Sequence, residues 1–255
     1  IAIVAIIIYT FRDSAGPILK ELSTTAPWVV ITICGAGVMY NVVEGWINYS
    51  FAKQYNPQFT YRMGIESAFY CSFYRVATLG SGAGVAAVYY FNEKGIPVFQ
   101  GTGMYMVEYA IHKVTIAIFS IIFFLLNFGF MKEHYSEYFN LLIAGYVLTA
   151  VIATALFLFC CSKKFHGILL FLVDKLNRKG KFDAQAAMLR EQCGILEDAA
   201  GMLLTKGKLI ASIVAKNLLK FAFCYGIPFV ILYREYGLTL LQSWAVTSLA
   251  FMLAA

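Results

Sequence analysis

Apolar residues in this chain are gathered into long windows, and polar residues stand mainly between those windows. The windows cover residues 1–11, 27–51, 102–128, 138–161, 207–233 and 241–255. Several of them reach the length of about 18 apolar residues that indicates a membrane-crossing helix. The pattern therefore predicts an all-α fold, a polytopic integral membrane helical bundle.

Both ends of the sequence fall inside apolar windows. The chain begins at Ile1 rather than Met, and it stops within the segment SLAFMLAA. We interpret residues 1–9 as the end of a spanning helix. Residues 1–255 are accordingly expected to be a single transmembrane domain that is truncated at both ends.

Composition and charge agree with a multi-pass protein of the cell membrane. Charged residues make up 13% of the chain, whereas soluble domains carry about 25%. We attribute the net charge of +6 to orientation and contact with anionic lipid rather than to nucleic acid binding. The six cysteines form no CxxC pair and no HExxH pattern is present, so we expect no metal, disulfide or cofactor.

One long polar segment, residues 162–208, holds nine basic and five acidic residues. Its apolar positions keep helical spacing, first from Phe165 to Leu176 and then every seven residues from Phe182 to Leu203. This spacing predicts two amphipathic helices that join near residues 179–181 and lie along the membrane face or against each other. Because basic segments remain inside, we expect residues 162–208 to be cytoplasmic.

The apolar text from 63 to 97 is interrupted at its middle by the glycine-rich residues 80–84. Each arm is short for a tilted membrane span. Either one arm crosses the membrane completely, or the two arms form a hairpin that enters and leaves on the cytoplasmic side. A re-entrant helical hairpin over 63–97 fits the lengths better.

Charged residues within apolar windows are functional candidates, because each costs roughly 2.5–3.5 kcal/mol on insertion. They are Glu44, Glu66, Arg75, Glu108 and Lys113. They could form buried ion pairs that fix helix packing, or they could line a polar cavity for a charged headgroup. Their concentration around the hairpin favours the cavity. We attribute Lys216 and Lys220 to snorkelling towards the membrane surface, and His112 to packing.

The glycines at 80–84 are compatible with several structures. A Walker loop would need Gly-Lys-Ser/Thr, but Val85-Ala86 follows, and a dinucleotide fingerprint needs a preceding strand. Small residues at these positions also suit close helix packing. A broken membrane helix whose second arm begins near Ala83 would instead offer its positive dipole end, beside Arg75, to a phosphate.

The stretch FYRVATLGSGAGVAAVYYFNEKGIPVFQGTGMYMVEYAIHKV resembles the core signature of the flippase-like transmembrane domain of bacterial lysylphosphatidylglycerol synthases. The matching positions are Arg75, Thr78, Ser81, Gly82, Tyr89, Tyr90, Gly95 and Ile96. The similarity covers most of residues 27–240. Two departures stand at the hairpin tip, where Leu79 replaces the usual proline and Ala83-Gly84-Val85 replaces Gly-Gly-x-Pro.

The resemblance implies a domain that flips an aminoacylated or related anionic phospholipid between leaflets and forms one half of an inverted repeat. For this function we expect two groups of substrate-binding residues. Arg75, Thr78, Ser81 and Gly82 match the signature, and Glu44, Glu66, Glu108 and Lys113 are charged residues within the apolar windows. The longer protein would be a phosphatidylglycerol lysyltransferase that confers resistance to antimicrobial peptides. Its partners would be membrane phospholipid, a fused or associated aminoacyltransferase domain, and further copies in a homo-oligomer. A membrane-embedded lipid or glycan transferase, or a membrane anchor for an aminoacyltransferase, stays open as the alternative.

Overall fold

The computed structural model describes residues 23–177 and 182–254, together with Gly16, Pro17 and Lys20. The window at 1–11 and the junction at 179–181 lie outside these residues. Every regular element bounded within them is helical. The helices are α1 (Pro27–Ala52), α2 (Tyr61–Ala77), α3 (Ala83–Glu93), α4 (Val98–Leu126), α5 (Phe128–His134), α6 (Phe139–Cys161), α7 (Lys163–Leu176), α8 (Asp183–Leu203), α9 (Gly207–Gly226), α10 (Phe229–Tyr236) and α11 (Leu240–Ala254).

Within the described residues, four segments are long and apolar enough to cross a membrane: α1, α4, α9 and residues Ser136–Cys160, which contain most of α6. This finding agrees with a multi-pass membrane bundle. The predicted window at 207–233 is wrong in one respect, because it is divided into α9 and α10. Pro228 stands at the division, where its missing N–H and fixed φ disfavour a continuous helix.

Helices α1 and α2 touch through their backbones. A Cβ atom placed on Gly45 would lie 2.5 Å from the Cα of Ile65, and one on Gly64 would overlap the carbonyl oxygen of Gly45. Beside this contact the Asn48 Nδ2 donates to Ser67 Oγ at 2.8 Å. Small residues thus let α1 hold the first arm of the hairpin closely.

Helices α2 and α3 form an antiparallel pair joined by residues 78–82. The Tyr90 hydroxyl of α3 donates to Glu66 Oε2 of α2 at 3.0 Å, and the rings of Tyr70 and Tyr90 are 5.7 Å apart. The second arm begins at Ala83, as the sequence predicted. The chain therefore forms a helical hairpin, with the glycine-rich residues at its turn.

The two amphipathic helices lie where the spacing predicted them, and α8 packs against the bundle. Leu196 and Leu203 are fully buried, and a Cβ on Gly103 of α4 would lie 2.7 Å from the Cβ of Ala199. An ion pair between Arg190 and Asp174 ties α8 to α7. The C-terminal half of α8 is thus the part that packs against α4, whereas Phe182 at its start is exposed.

Two apolar clusters hold the helices together. One joins the hairpin to α1, α4, α8 and α9 through residues such as Phe51, Phe91 and Met104. The other joins α4, α5, α6, α9 and α11 around Phe119 and Phe221.

Candidate functional site

The hairpin turn has a backbone that leucine rarely adopts. Leu79 has φ 52° and Gly80 has φ 100°, both in the left-handed region. The Gly80 N–H donates to the Arg75 carbonyl at 2.7 Å, which closes the end of α2. Proline, with φ near −65°, could not occupy position 79 in this conformation. The turn in this conformation therefore excludes proline at position 79.

Thr78 and Ser81 hold this turn with their hydroxyl groups. The Thr78 hydroxyl donates to the Tyr74 carbonyl at 2.7 Å and accepts from the Gly82 N–H at 2.6 Å. The Ser81 hydroxyl donates to the Thr78 carbonyl at 2.9 Å. Both hydroxyl protons are thus used within the turn. Thr78, Ser81 and Gly82 shape the tip, and none of them lines the cavity below it.

A cavity of about 230 Å³ lies under the turn, and we call it the hairpin cavity. Its walls come from α1, α2, the turn, the start of α3, and α4. They are Glu44, Arg75, Gly80, Ala83, Tyr105, Glu108, Tyr109 and His112. The structure thus brings together Glu44, Arg75 and Glu108, which the sequence had placed on three separate windows.

Lys220 of α9 is buried against one wall of this cavity. Its side chain is 1% exposed, and its Nζ donates to Glu44 Oε2 at 2.5 Å and to His112 Nδ1 at 3.0 Å. The expectation of snorkelling is wrong for Lys220, because the ammonium group points to Glu44 rather than to a surface. His112 accepts through Nδ1, so its other ring nitrogen carries the proton.

The hairpin cavity has two further charged residues, Arg75 and Glu108, which take no part in the ion pair between Glu44 and Lys220. Glu108 is 7% exposed and makes no hydrogen bond or ion pair with the described part of the chain. Arg75 donates from Nη1 to the Tyr40 hydroxyl at 3.5 Å, a long contact. The Arg75 side chain is exposed and the Glu108 side chain is buried, and neither forms an ion pair with another described residue. The cavity therefore presents one cation and one buried carboxyl group with which a ligand could pair.

Glu66 and Lys113 lie outside the hairpin cavity. Glu66 accepts from Arg62 Nε at 2.9 Å and from Tyr90 on the outer side of the hairpin. Lys113 lines a second cavity of about 380 Å³, in which Arg75 and His112 also form part of the wall. Of the charged candidates, Glu44, Arg75 and Glu108 therefore share one site.

Sequence reasoning missed the role of Lys220 in this site. One signal could have revealed it. Lys220 stands two thirds of the way along the 20-residue helix α9, which is too deep for its side chain to reach the membrane surface at the start of the helix. A lysine at that depth needs an acidic partner on a neighbouring apolar window, and in the structure this partner is Glu44.

Comparisons with protein-family models, with curated proteins and with solved structures give no match to this chain.

Proposed function

We propose that this chain is a membrane domain that translocates aminoacylated or related phospholipids between leaflets. One observation carries the proposal: a cavity under a helix break is lined by an exposed arginine and a buried glutamate, and neither forms an ion pair with another described residue. In membrane proteins, buried charges and irregular backbone are tolerated where they line a cavity or a substrate path.

Arg75 is the phosphate contact in this proposal. A guanidinium group binds phosphate through two parallel hydrogen bonds. The first amides of α3, at residues 83–85, have no intrahelical carbonyl partner, and they carry the positive end of the helix dipole. Ala83 and Arg75 line the same cavity, so both donors can serve one phosphate group.

Glu108 is the contact for the ammonium group of an aminoacyl headgroup. Because Glu44 already pairs with Lys220, its charge is neutralised within the protein. Glu108 lacks such a partner and faces the same cavity as Arg75. A headgroup with a phosphate and an ammonium group would match both residues, and each charge would offset the cost of burying the other.

The membrane setting that we propose rests on the positive-inside rule. We place the hairpin α2–α3 as a re-entrant element that enters from the cytoplasmic side, with its turn in the membrane interior. The basic segment 162–208 then lies in the cytoplasm. The proposal also includes a second half, related to this one as an inverted repeat, and a fused or associated aminoacyltransferase domain.

The test is lipid movement in liposomes that contain the protein and a fluorescent lysylated phosphatidylglycerol. We expect Arg75→Ala to slow the appearance of label in the opposite leaflet about 10- to 100-fold, since a charge-assisted hydrogen bond is worth about 1.5–3 kcal/mol. Glu108→Gln should slow the lysylated lipid more than unmodified phosphatidylglycerol. An impermeant quencher reports the movement.

Arg62→Ala is the matched control. Arg62 is on the same helix, carries the same charge and pairs with Glu66 outside the cavity. We expect Arg62→Ala to move lipid between leaflets at the same rate as the unmodified protein. Unchanged transport in Arg75→Ala, at equal amounts of folded protein, would overturn the assignment.

A further inference from the structure

An apolar groove runs beside the hairpin cavity, between α3 and the start of α4. Its volume is about 450 Å³, and it is lined by Gly84, Val85, Val88, Tyr89, Val98, Thr102 and Tyr105. The Thr102 hydroxyl donates to the Val98 carbonyl at 2.8 Å, so its hydrogen is used within α4. The groove therefore offers a ligand mainly hydrocarbon surface.

Tyr105 belongs both to this groove and to the hairpin cavity. Its ring lies against α3 at Gly84, where an added Cβ would come within 2.9 Å of the Tyr105 Cε1. The missing side chain at Gly84 thus allows Tyr105 to stand between the two spaces. Tyr105 is shared by the two spaces, and Arg75 and Glu108 line one of them while the valines line the other.

No described part of the chain covers the groove. Val85 is 75% exposed, and Tyr89 and Val98 are also largely exposed. An apolar surface beside a charged cavity, with Tyr105 common to both, points to a ligand that is apolar at one end and ionic at the other.

We propose that the groove binds an acyl chain of the phospholipid whose headgroup occupies the hairpin cavity. The inference rests on the proposed function and extends it, because the protein would then recognise the acyl chain of the lipid as well as its headgroup. The glycerol region of the lipid would then pass beside Tyr105. A soluble anion with the same headgroup would use the cavity but leave the groove empty.

The test compares two phosphatidylglycerols with identical headgroups, the dipalmitoyl and the dihexanoyl forms, binding to the whole detergent-solubilised chain. Val88→Trp fills the groove. We expect it to weaken dipalmitoyl binding about tenfold, or roughly 1.4 kcal/mol, and to leave dihexanoyl binding unchanged. Partitioning of each lipid into micelles is the same for both proteins, so the ratio of dissociation constants reports the groove.

Val76→Trp is the control, since Val76 is an exposed valine of α2 that lines none of the three cavities described above. It should change neither dissociation constant. Val98→Trp fills the groove from α4 and repeats the test if Val88→Trp does not fold. Equal weakening of both lipids by the groove variants, or no weakening, would overturn the inference.

Arg75→Ala separates this inference from the proposed function. It should weaken both lipids, because both carry the phosphate. If Arg75→Ala weakens both lipids while Val88→Trp and Val98→Trp weaken neither, the groove assignment falls and the headgroup site stands. If the unmodified chain binds neither lipid, both proposals fall.

Discussion

At the scale of single residues, the pair formed by Glu44 and Lys220 decides which charges of the cavity are left for a ligand. Lys220 gives hydrogen bonds to Glu44 and to His112, and almost none of its surface is exposed. Without Lys220 the cavity wall would carry two carboxyl groups and a single cation, Arg75. The pair therefore sets the charge balance that makes Arg75 and Glu108 a complementary couple.

We predict that Lys220→Met lowers the free energy of unfolding by about 3–5 kcal/mol, because it leaves Glu44 as a buried charge without its partner. Lys220→Met combined with Glu44→Leu should recover most of this loss, since both charges are then absent. Unfolding in detergent with increasing denaturant measures both variants.

Lys216→Met is the control for this pair. Lys216 is half-buried and donates to the neutral hydroxyl of Ser50 at 2.7 Å. Its removal leaves no charge behind, so the loss should be smaller than for Lys220→Met. If Lys220→Met alone were as stable as the double variant, an unpaired Glu44 would not destabilise the fold, and the prediction would be wrong.

At the scale of elements, the turn between α2 and α3 stores strain at one position. Leu79 is 89% exposed and has a left-handed backbone, which costs a residue with a Cβ about 1–2 kcal/mol. Its N–H also donates to the Val76 carbonyl at 3.4 Å. The Leu79 side chain is not buried, so no apolar contact offsets this cost. The strain is a consequence of the backbone conformation of the turn.

We predict opposite effects for two substitutions at this position. Leu79→Gly should stabilise the protein by about 1 kcal/mol, since glycine adopts the left-handed region without a Cβ penalty. Leu79→Pro should destabilise it by more than that amount, because proline cannot adopt this φ and lacks the N–H. Thermal unfolding in one detergent compares the two variants, and a stabilised Leu79→Pro would contradict the turn geometry.

Sequence reasoning predicted the elements around this turn better than their contacts. The glycines at 80–84 marked the break and the start of α3 at Ala83, and leucine spacing marked α8. The left-handed Leu79 gave no signal, because leucine at that position looks like any apolar residue. The contact between Gly45 and Gly64 depends on how two helices cross, which neither local pattern contains.

The same limit applies to the site. Arg75, Glu44 and Glu108 could be selected because charges within apolar windows are costly. Their grouping into one cavity, and the exclusion of Glu66 by its bonds to Arg62 and Tyr90, required the packing of α1, α2 and α4. The resemblance to the lysylphosphatidylglycerol synthase domain stays a prediction.

At the scale of the whole molecule, the amphipathic segment and the apolar bundle form one packed body. Helix α8 buries Ala199, Ala200 and Leu203 in the same cluster that holds the hairpin. Helix α7 instead exposes apolar side chains, among them Ile168 and Phe171. A membrane surface along α7 would cover them, as expected for an amphipathic helix at the interface.

We predict that α8 faces the cytoplasm and that the residues before α6 face outward. In a Cys34→Ala background, Glu137→Cys should react with an impermeant maleimide on intact cells. Glu191→Cys, on an exposed position of α8, should react only after the membrane is opened. Labelling yields measured on intact and opened cells test this orientation, and the reverse pattern would invert the proposed topology.

The glycine contact between α1 and α2 has a consequence for how the protein is made. Helix α2 has 17 residues and contains Arg62, Glu66 and Arg75, so it falls short of the length and apolarity of an independently inserting helix. Helix α1 leaves the ribosome first and has both properties. We therefore expect α1 to insert first and the hairpin to assemble against it. In that step the backbone at Gly64 would exchange contact with lipid for contact with the backbone at Gly45.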